Sequence, residues 1–292
     1  AHYDVSNEFY RMVLGPSLTY SCAVFEHEDD TLEQAQANKY ELICRKLDLR
    51  PGMRLLDIGC GWGGMVLHAA RHHGVRAVGI TLSVPQADLA RKRVVDAGLA
   101  DQVEIRVQDY RDVRDGPFDA VSSIGMFEHV GYDHLAEYFA QIARLLRPGG
   151  RLLNHGISRP GGPHRGMAKN GFIQRYVFPD GELVELGRVI TAMQSQGLEV
   201  RHSEGLREHY ARTLRAWVAN LEANWDAAVA EVGEARARIW RLYMAGSALG
   251  FESGQIHIHQ VLAVRPDHGR AGLPLRPDFD RDGLAVTSSA AS

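Results

Sequence analysis

The ten residues "LLDIGCGWGG", at positions 55–64 of this 292-residue chain, decide the fold. A short apolar run contains one acid, Asp57, and a glycine-rich turn follows it. Glycines in such a turn allow the backbone to bend tightly and to approach a ligand at the N-terminus of the next helix. Since "MVLHAARHHG" comes next, the stretch predicts a strand, a ligand-binding turn and a helix.

Strand and helix patterns alternate along the chain beyond this turn. Further strands are predicted at "VRAVGITLS" (75–83), "VEIRVQDYRDV" (103–113), "FDAVSSIGMFEHV" (118–130), "RLLNHGIS" (151–158), about 198–204 and "QIHIHQVLAVR" (255–265). Helical patterns separate them, including one near 183–196 and a long helical stretch at about 209–249. Alternation of this kind implies a doubly wound, mostly parallel sheet. We therefore predict an α/β fold with seven strands.

The first fifty residues are predicted to form a helical cap in front of the sheet. The stretches "SNEFYRMVL" and "TLEQAQANKYELICRKLDL" have apolar positions at helical spacing. Thr31 and Gln34 resemble a capping box at the start of the second helix. Pro85 follows the second strand, at a position that the first turn of a helix tolerates.

Two segments depart from the α/β alternation. Residues 157–182 are rich in Gly, Pro and aromatic residues, and a connection of this length is more often a lid or a binding loop than filler. From Pro266 onward the chain is rich in Pro, Asp and Arg, so we expect a disordered tail at 266–292. The predicted organisation is a cap at 1–50, an α/β domain at 51–265 and this tail.

Composition excludes several classes of protein. A net charge of −3 provides no basic field that would attract nucleic acid. The three cysteines, Cys22, Cys44 and Cys60, are odd in number and widely spaced, so they form neither a disulfide framework nor a CxxC zinc pattern. We expect no signal peptide, and no apolar run is long enough to span a membrane. We expect a cytoplasmic protein whose contact with a membrane would be peripheral.

The glycine turn has the form D-x-G-x-G-x-G, through Asp57, Gly59, Gly61 and Gly63. A dinucleotide site needs G-x-G-x-x-G and an acid after the second strand, and here that strand ends "GITLS". The form resembles motif I of class I S-adenosylmethionine (SAM) methyltransferases, whose loop faces the methionine part of the cofactor. The alternative is a NAD-type domain, or a glycine turn without a ligand.

Polar residues follow the predicted strands at the sheet edge where α/β proteins bind ligands. Glu128 and His129 follow the fourth strand, and His155 lies at the end of the fifth. Each has an ordinary structural explanation when taken alone: a surface carboxylate, or a histidine satisfied within the core. Tyr210, in "REHYARTL", has the spacing of an amphipathic helix residue.

Taken together, several motifs resemble one family. The chain resembles the cyclopropane fatty acid synthases, including the mycolic acid cyclopropane synthases, from His2 to Arg265. The motifs that carry the resemblance are "HYDVSNEFY", "LTYSCAVF", "LDIGCGWGG", "GITLS", "GMFEHVG" and "EHYARTL". The resemblance implies transfer of the SAM methyl group to a cis double bond of a fatty acyl chain. The expected substrate is an unsaturated phospholipid or another acyl chain, met at the inner membrane face; a homodimer is a further expectation.

The implied chemistry requires orientation first and a base second. An alkene is a poor nucleophile, so it must be held about 3–3.5 Å from the methyl group that it attacks. The resulting carbocation then loses a proton, and in this family the base is thought to be a bound bicarbonate. A small anion in an apolar pocket is costly unless its oxygens are hydrogen-bonded.

The resemblance assigns residues to both parts of the site. The bicarbonate cage maps to Cys22, the backbone of Ile124, and the side chains of Glu128, His155 and Tyr210. The SAM contacts map to Tyr20, Ser21, Asp57, Gly59, Cys60, Gly61, Trp62, Gly63, Thr81, Leu82, Ser83, Gln86, Tyr110 and Arg111. Aromatic residues could stabilise passing positive charge or line an acyl channel; these are Tyr20, Phe127, Phe172 and Tyr176.

Alternatives remain open at several positions. Many family members have a cysteine in the late helix, but this chain has Ser247, which excludes a covalent thiol there. His257 and His259 could form a metal pair, but with no third ligand a plain strand surface is favoured and no metal is predicted. Proton loss from the added methyl closes a cyclopropane, whereas loss from a neighbouring chain carbon leaves a methylene branch, the route to 10-methyl fatty acids. An O- or N-methyltransferase for a small metabolite and a non-catalytic binding protein are the other classes.

Overall fold

One mixed sheet forms the centre of the computed structural model, which describes residues 5–161 and 183–279. Its strands are β1 (Arg54–Ile58), β2 (Arg76–Thr81), β3 (Val103–Val107), β4 (Phe118–Ile124), β5 (Leu146–Arg159), β6 (Val184–Glu185), β7 (Glu199–Gly205) and β8 (His257–Val264). Seven of them follow the order β3-β2-β1-β4-β5-β8-β7, and the two-residue β6 pairs with β5. Strand β8 is antiparallel to β5 and β7, and the other pairs are parallel. The predicted α/β fold with a mostly parallel sheet is confirmed, with β6 as an addition.

Helices cover both faces of the sheet. They are α1 (Asn7–Leu14), α2 (Leu32–Leu47), α3 (Gly64–His73), α4 (Val84–Asp96), α5 (Leu135–Leu145), α6 (Leu186–Ser195), α7 (Arg207–Ala223), α8 (Trp225–Val232) and α9 (Glu234–Glu252). One apolar layer holds side chains of α1–α4 and α7–α9, and the other holds those of α5 and α6. The strand order reverses between β1 and β4, and ligands of open α/β sheets bind at such a point.

Local sequence signals explain where two helices begin. The predicted capping box of α2 is confirmed, because the Gln34 amide donates to Thr31 Oγ1 (3.3 Å) and the Thr31 amide donates to Gln34 Oε1 (2.9 Å). In α4, Ser83 Oγ accepts from the Gln86 amide (3.4 Å) and Pro85 lies in the first turn, as predicted. Both caps satisfy amides that have no partner within the helix.

The long helical stretch predicted at about 209–249 consists of three helices. Gly233 separates α8 from α9 with a φ of +82°, a conformation that favours glycine over other residues. Asn224 separates α7 from α8 with a non-helical φ of −110°. These two breaks turn the chain back on itself, so that α7, α8 and α9 pack on one another.

Two predicted strands are shorter than their sequence patterns suggested. After β3, the Asp109 carboxylate accepts from the Arg111 amide (2.9 Å) and starts a 3-10 turn. After β4, Gly125 takes a φ of +68° and the chain leaves the sheet. Both strand ends therefore become turns at the carboxyl edge, where functional side chains can face a ligand.

The C-terminal segment packs on the fold as far as it is described. Phe279 is 7% exposed, and its ring centroid lies 4.9 Å from that of His202. Arg151 donates to the Gly272 carbonyl oxygen (2.9 Å). The prediction of disorder is therefore wrong for residues 266–279.

The predicted lid at 157–182 is described only at its edges. Residues 157–159 belong to β5, which is longer than the predicted strand. Residues 162–182, which include Phe172 and Tyr176, lie outside the described residues, as do residues 280–292. The roles predicted for them stay predictions.

Candidate cofactor and active site

A cavity of about 880 Å³ lies at the carboxyl ends of β1, β2 and β4. Its walls come from the glycine turn after β1, the segment that joins β2 to α4, the turn after β3, and residues 18–21 of the N-terminal segment. The position matches the strand-order reversal between β1 and β4. This volume is in the range of pockets that enclose a small organic cofactor.

Backbone hydrogen bonds and positive φ angles fix the conformation of the glycine turn. The amides of Gly59 and Cys60 both donate to the Ile80 carbonyl oxygen, each at 2.9 Å, which ties the turn to β2. Gly59 has a φ of +78°, and an added Cβ would come within 2.8 Å of Met126 Cβ. Gly61 has a φ of +54° and an added Cβ would meet no protein atom within 4 Å. Backbone therefore faces open space at Gly61, where a ligand can approach closely.

Every residue predicted to contact the cofactor lines this cavity, with one exception. Those that line it are Tyr20, Ser21, Asp57, Gly59, Cys60, Gly61, Trp62, Thr81, Leu82, Ser83, Gln86, Tyr110 and Arg111. Gly63 does not. An added Cβ at Gly63 would lie 3.3 Å from Ala90 Cβ, so this glycine allows α3 and α4 to approach each other.

The N-terminal cap reaches the cavity through the indole of Trp62. Trp62 Nε1 donates to Asn7 Oδ1 of α1 (2.8 Å), and the ring lies 4.8 Å from that of Tyr10. Tyr20, which lines the cavity, packs at 5.4 Å from Trp217 of α7. Aromatic packing thus joins the cap, the glycine turn and α7.

A buried lysine that the sequence analysis missed supports one wall. Lys39 is fully buried, and its Nζ donates to Ser21 Oγ (2.8 Å). Burial lowers the pKa of Lys39 to about 7, although Cys22 and Asp57 oppose this shift. Because Ser21 Oγ accepts from Lys39, its own hydroxyl hydrogen is free to donate to an acceptor in the cavity. A ligand carboxylate is such an acceptor.

Asp57 lies at the end of β1 beneath the cavity. Its Oδ1 accepts from Ser122 Oγ (2.7 Å), and its side chain is almost fully buried. Burial raises the pKa of Asp57 to about 6, against the lowering effects of Ser122 and Lys39. The acid of the glycine motif therefore links β1 to β4 as well as facing the cofactor cavity.

Other lining residues were not predicted to contact the cofactor, although His129 was noted after the fourth strand. Gln108 and Asp109 lie directly before the predicted Tyr110, and His129 follows Glu128 in the quoted fourth-strand motif. Their sequence signal is their place after a strand, at the edge where ligands bind. The turns after β3 and β4, which sequence periodicity did not separate from the strands, bring them to the cavity.

Three of the predicted cage residues meet where β4 ends beside β5. Ile124 lines the cavity and pairs in register with His155 of β5. Glu128 lies on the 3-10 turn Phe127–His129, and its Oε1 accepts from the Ile157 amide (2.6 Å). The carboxylate is thus fixed two residues along β5 from His155.

The other two cage residues meet at the start of α7. The Leu206 carbonyl oxygen lies 3.7 Å from Cys22 Sγ and also accepts from the Tyr210 amide (3.1 Å). Burial raises the pKa of Tyr210 well above its usual value, and Tyr243, Cys22 and Glu128 add to the shift. The effects of Cys22 and Glu128 on its hydroxyl indicate that Tyr210 lies near residues of both groups.

Two buried polar atoms of the cage have no hydrogen-bond partner within the described residues. They are Glu128 Oε2 and His155 Nε2. Burial raises the pKa of Glu128 to about 7 and lowers that of His155 well below its usual value. A buried polar atom without a partner costs about 1–3 kcal/mol. A ligand with both an acceptor and an O–H group would satisfy the two atoms.

The two histidines that were considered as a metal pair do not line the cavity. His257 and His259 lie on β8 with ring centroids 6.0 Å apart, and His259 Nδ1 lies 2.9 Å from Ser158 Oγ. Neither belongs to the group of potential metal ligands that converges within the described ranges. This geometry is that of a hydrogen-bonded strand surface.

The sheet order, the glycine turn at the strand-order reversal and the adjoining cavity define the class I SAM-dependent methyltransferase fold. A family model described as mycolic acid cyclopropane synthetase matches residues 1–261. The chain belongs to this family, which confirms the resemblance of its motifs.

Named relatives agree with this assignment. A probable fatty acid methyltransferase of Mycobacterium tuberculosis is 55% identical over 277 residues, which cover 94% of this chain and 64% of the relative. One of Pseudomonas putida is 49% identical over 268 residues, covering 91% of this chain and 68% of the relative. The solved structure of the mycolic acid cyclopropane synthase CmaA1 complexed with SAH and CTAB is 35% identical, with a TM-score of 0.84 over 90% of this chain and 95% of that chain. The chain thus spans about two thirds of the length of the two fatty acid methyltransferases.

In the part of the chain that the structure describes, no helix is both long and apolar enough to cross a lipid bilayer.

Gly61→Ala should weaken binding of S-adenosylhomocysteine by about tenfold or more, because the added methyl would enter the space where backbone faces the cavity. Isothermal titration calorimetry measures the dissociation constant. Gly98→Ala is the matched control: Gly98 also has a positive φ (+69°) and open space around it, but it lies outside the cavity. Both variants should lose similar thermal stability. Equal dissociation constants for the two variants would contradict the assigned cofactor site.

Proposed function

We propose that this chain transfers the methyl group of SAM to the cis double bond of an unsaturated fatty acyl chain, with bound bicarbonate as the base, and so forms a cyclopropane. The observation that carries the proposal is the pair of unpartnered buried atoms, Glu128 Oε2 and His155 Nε2, close to a cofactor cavity. The names of the two relatives, both fatty acid methyltransferases, support an acyl substrate.

The residues present fit SAM as the ligand of the cavity. SAM, when bound, supplies an electrophilic methyl group on a sulfonium sulfur. The open backbone at Gly61 and the free hydroxyl hydrogen of Ser21 suit the amino-acid part of such a molecule. Ring faces of Tyr20 and of neighbouring aromatic residues suit its positive charge and that of a carbocation.

The cage residues also fit bicarbonate. His155 Nε2–H and the Tyr210 hydroxyl would donate to its charged oxygens, and the ionised Glu128 Oε2 would accept from its O–H. Bicarbonate held in this way would supply the base for the proton that the carbocation loses, and would leave as carbonic acid. Glu128 is fixed by the Ile157 amide, so the acceptor is already oriented when the anion arrives.

Cys22 forms a wall of the cage and is not a nucleophile in this proposal. Its side chain is fully buried, and burial raises the pKa of the thiol far above neutrality, against the lowering effects of Lys39 and Thr213. The nucleophilic form of cysteine is the thiolate, which burial disfavours at this position. A protonated thiol is an inert neighbour for a carbocation.

The same arrangement serves one alternative product. If the carbocation loses a proton from the added methyl, a cyclopropane closes; if it loses one from a neighbouring chain carbon, a methylene branch forms. The relatives at 55% and 49% identity are named as methyltransferases, whereas the solved structure at 35% is a cyclopropane synthase. The phospholipid form of the substrate, contact with the inner membrane face and a homodimer belong to the same proposal.

Product analysis tests this function. The protein is incubated with SAM, bicarbonate and vesicles of an oleoyl phospholipid, and the released acyl chains are analysed by mass spectrometry and proton NMR. We expect a gain of one CH₂ with the upfield resonances of a cyclopropane; olefinic resonances would instead identify the methylene product. Vesicles of a saturated phospholipid are the control. Methylation of a small amine or alcohol without acyl modification would contradict the proposal.

Glu128 predicts a specific pH dependence. Because its raised pKa is about 7, the carboxylate that accepts the bicarbonate O–H is lost as pH falls through 7, and the turnover rate should fall with it. Bicarbonate itself is protonated in the same pH range. The experiment therefore adjusts the total carbonate so that the concentration of free bicarbonate is the same at every pH. Glu128→Gln should reduce turnover about 10- to 100-fold, because its amide presents a donor to the bicarbonate O–H. Unchanged turnover in this variant, with unchanged SAH binding, would remove Glu128 from the cage.

A further inference from the structure

A chain of three buried side chains runs from α2 to the cage. Lys46 Nζ donates to Gln260 Oε1 (2.7 Å), and Gln260 Nε2 lies 3.2 Å from His155 Nδ1. All three residues are completely buried. They lie on three elements, α2, β8 and β5, that the chain reaches at widely separated points.

The chemistry of these groups allows one arrangement of hydrogens. An ammonium group has only donors, so the atom of the Gln260 side chain that faces Lys46 must be the oxygen. The amide nitrogen then faces His155 and donates to Nδ1, which must be an acceptor. Since burial keeps His155 neutral, its one ring hydrogen is on Nε2. That is the buried nitrogen without a partner in the cage.

We propose that Lys46 and Gln260 are positioning residues that hold His155 as the Nε2–H tautomer, so that it can donate to the bound anion. This inference rests on the proposed function. In the opposite tautomer, Nε2 would present a lone pair to a bicarbonate oxygen, and the contact would be repulsive. Orientation of a histidine by a hydrogen bond at its second nitrogen is a general device in catalytic and metal sites.

Lys46 also forms an ion pair with a partly exposed carboxylate. Glu204 of β7 accepts from Lys46 Nζ, and the Phe279 ring lies 5.9 Å from the same nitrogen. The Lys46 side chain is 1% exposed and that of Glu204 is 38% exposed. Glu204 can therefore balance the charge of Lys46 without contact with the cage. This arrangement provides a control, since removal of the Glu204 charge leaves the Lys46–Gln260 bond in place.

Nitrogen-15 NMR of histidine-labelled protein tests the tautomer without any mutation. We expect His155, assigned by its loss in His155→Gln, to have a protonated Nε2 and an unprotonated Nδ1. A protonated Nδ1 with a bare Nε2 in the wild-type protein would overturn the inference, whether or not the protein has the proposed activity.

Kinetics of two variants test the consequence. Lys46→Met and Gln260→Met should raise the apparent KM for bicarbonate about tenfold or more, because the donor to the anion is no longer enforced, while the KM for SAM stays unchanged. Glu204→Gln should leave both KM values within about twofold. If Lys46→Met and Gln260→Met fold, as judged by thermal melts, and leave the KM for bicarbonate unchanged, the inference is wrong. Absence of acyl methylation by the wild-type protein would instead refute the proposed function.

A separate cluster of potential metal ligands lies between α2 and α3. Ligand atoms of Cys44, His68 and His73 all lie within 4.8 Å of one another. Glu41, one turn before Cys44, accepts from His68 Nε2 (3.1 Å) and from His73 Nε2 (3.0 Å) through the same Oε2 atom. A thiol, two imidazoles and a carboxylate are thus gathered in one place, and these are ligands that Zn²⁺ and Co²⁺ prefer.

The geometry points to a transition-metal site that joins α2 to α3. The metal would bind Cys44, His68 and His73, with Glu41 as a fourth ligand in place of its present hydrogen bonds. The thiol proton of Cys44 leaves to solvent on binding, so uptake of the metal releases a proton and strengthens with rising pH. Because α3 follows the glycine turn directly, a bound metal would stabilise the helix on which the cofactor turn depends.

Titration of protein without a histidine tag with Co²⁺ tests this site. We expect a thiolate-to-cobalt charge-transfer band together with the intense visible bands of tetrahedral Co²⁺, both removed by Zn²⁺. Cys44→Ala should lose the charge-transfer band, and His73→Ala should weaken binding, whereas His257→Ala should behave as wild type. No charge-transfer band, or the same band in Cys44→Ala, would overturn the proposal.

Discussion

Two buried amino groups on one face of α2 connect the two halves of the site. Lys39 and Lys46 are two turns apart and fully buried, and a buried amino group is tolerated only when it is hydrogen-bonded. Lys39 holds Ser21 in the wall of the cofactor cavity, and Lys46 holds Gln260 beside His155. Placement of α2 on the sheet therefore sets the cofactor wall and the cage together. The cap thus supports both the wall of the cofactor cavity and the proposed cage.

The cage combines polar atoms with groups that do not attack a cation. Burial favours the protonated thiol of Cys22 and the neutral ring of His155, whose Nδ1 lies 3.2 Å from Gln260 Nε2. Glu128 is the exception, and the Ile157 amide occupies one of its oxygens. Such surroundings suit a reaction in which a carbocation must survive until a single base removes a defined proton. Burial, which shifts all these pKa values, is the common physical cause.

Sequence patterns predicted much of this arrangement because they depend on local or repeated rules. Strand alternation gave the sheet, the capping box placed the start of α2, and the glycine turn located the cavity. The breaks around Gly233 and Asp109 were not separated from their neighbouring elements, because helical and strand periodicity continue across them. The tail was assigned to disorder from composition, although Phe279 buries its ring on the fold. Burial of one aromatic residue can outweigh the composition around it.

The sequence by itself determined the α/β class, the family and thirteen of the residues that line the cofactor cavity, because those depend on motifs that are contiguous in the chain. The burial of Lys39 and Lys46 and the identity of their partners were not predicted. Only the tertiary structure decided that Lys46 meets Gln260 and His155, since these residues are 105 or more positions from one another. Hydrogen-bond partners across such separations depend on how strands and helices pack, and packing is a property of the whole fold.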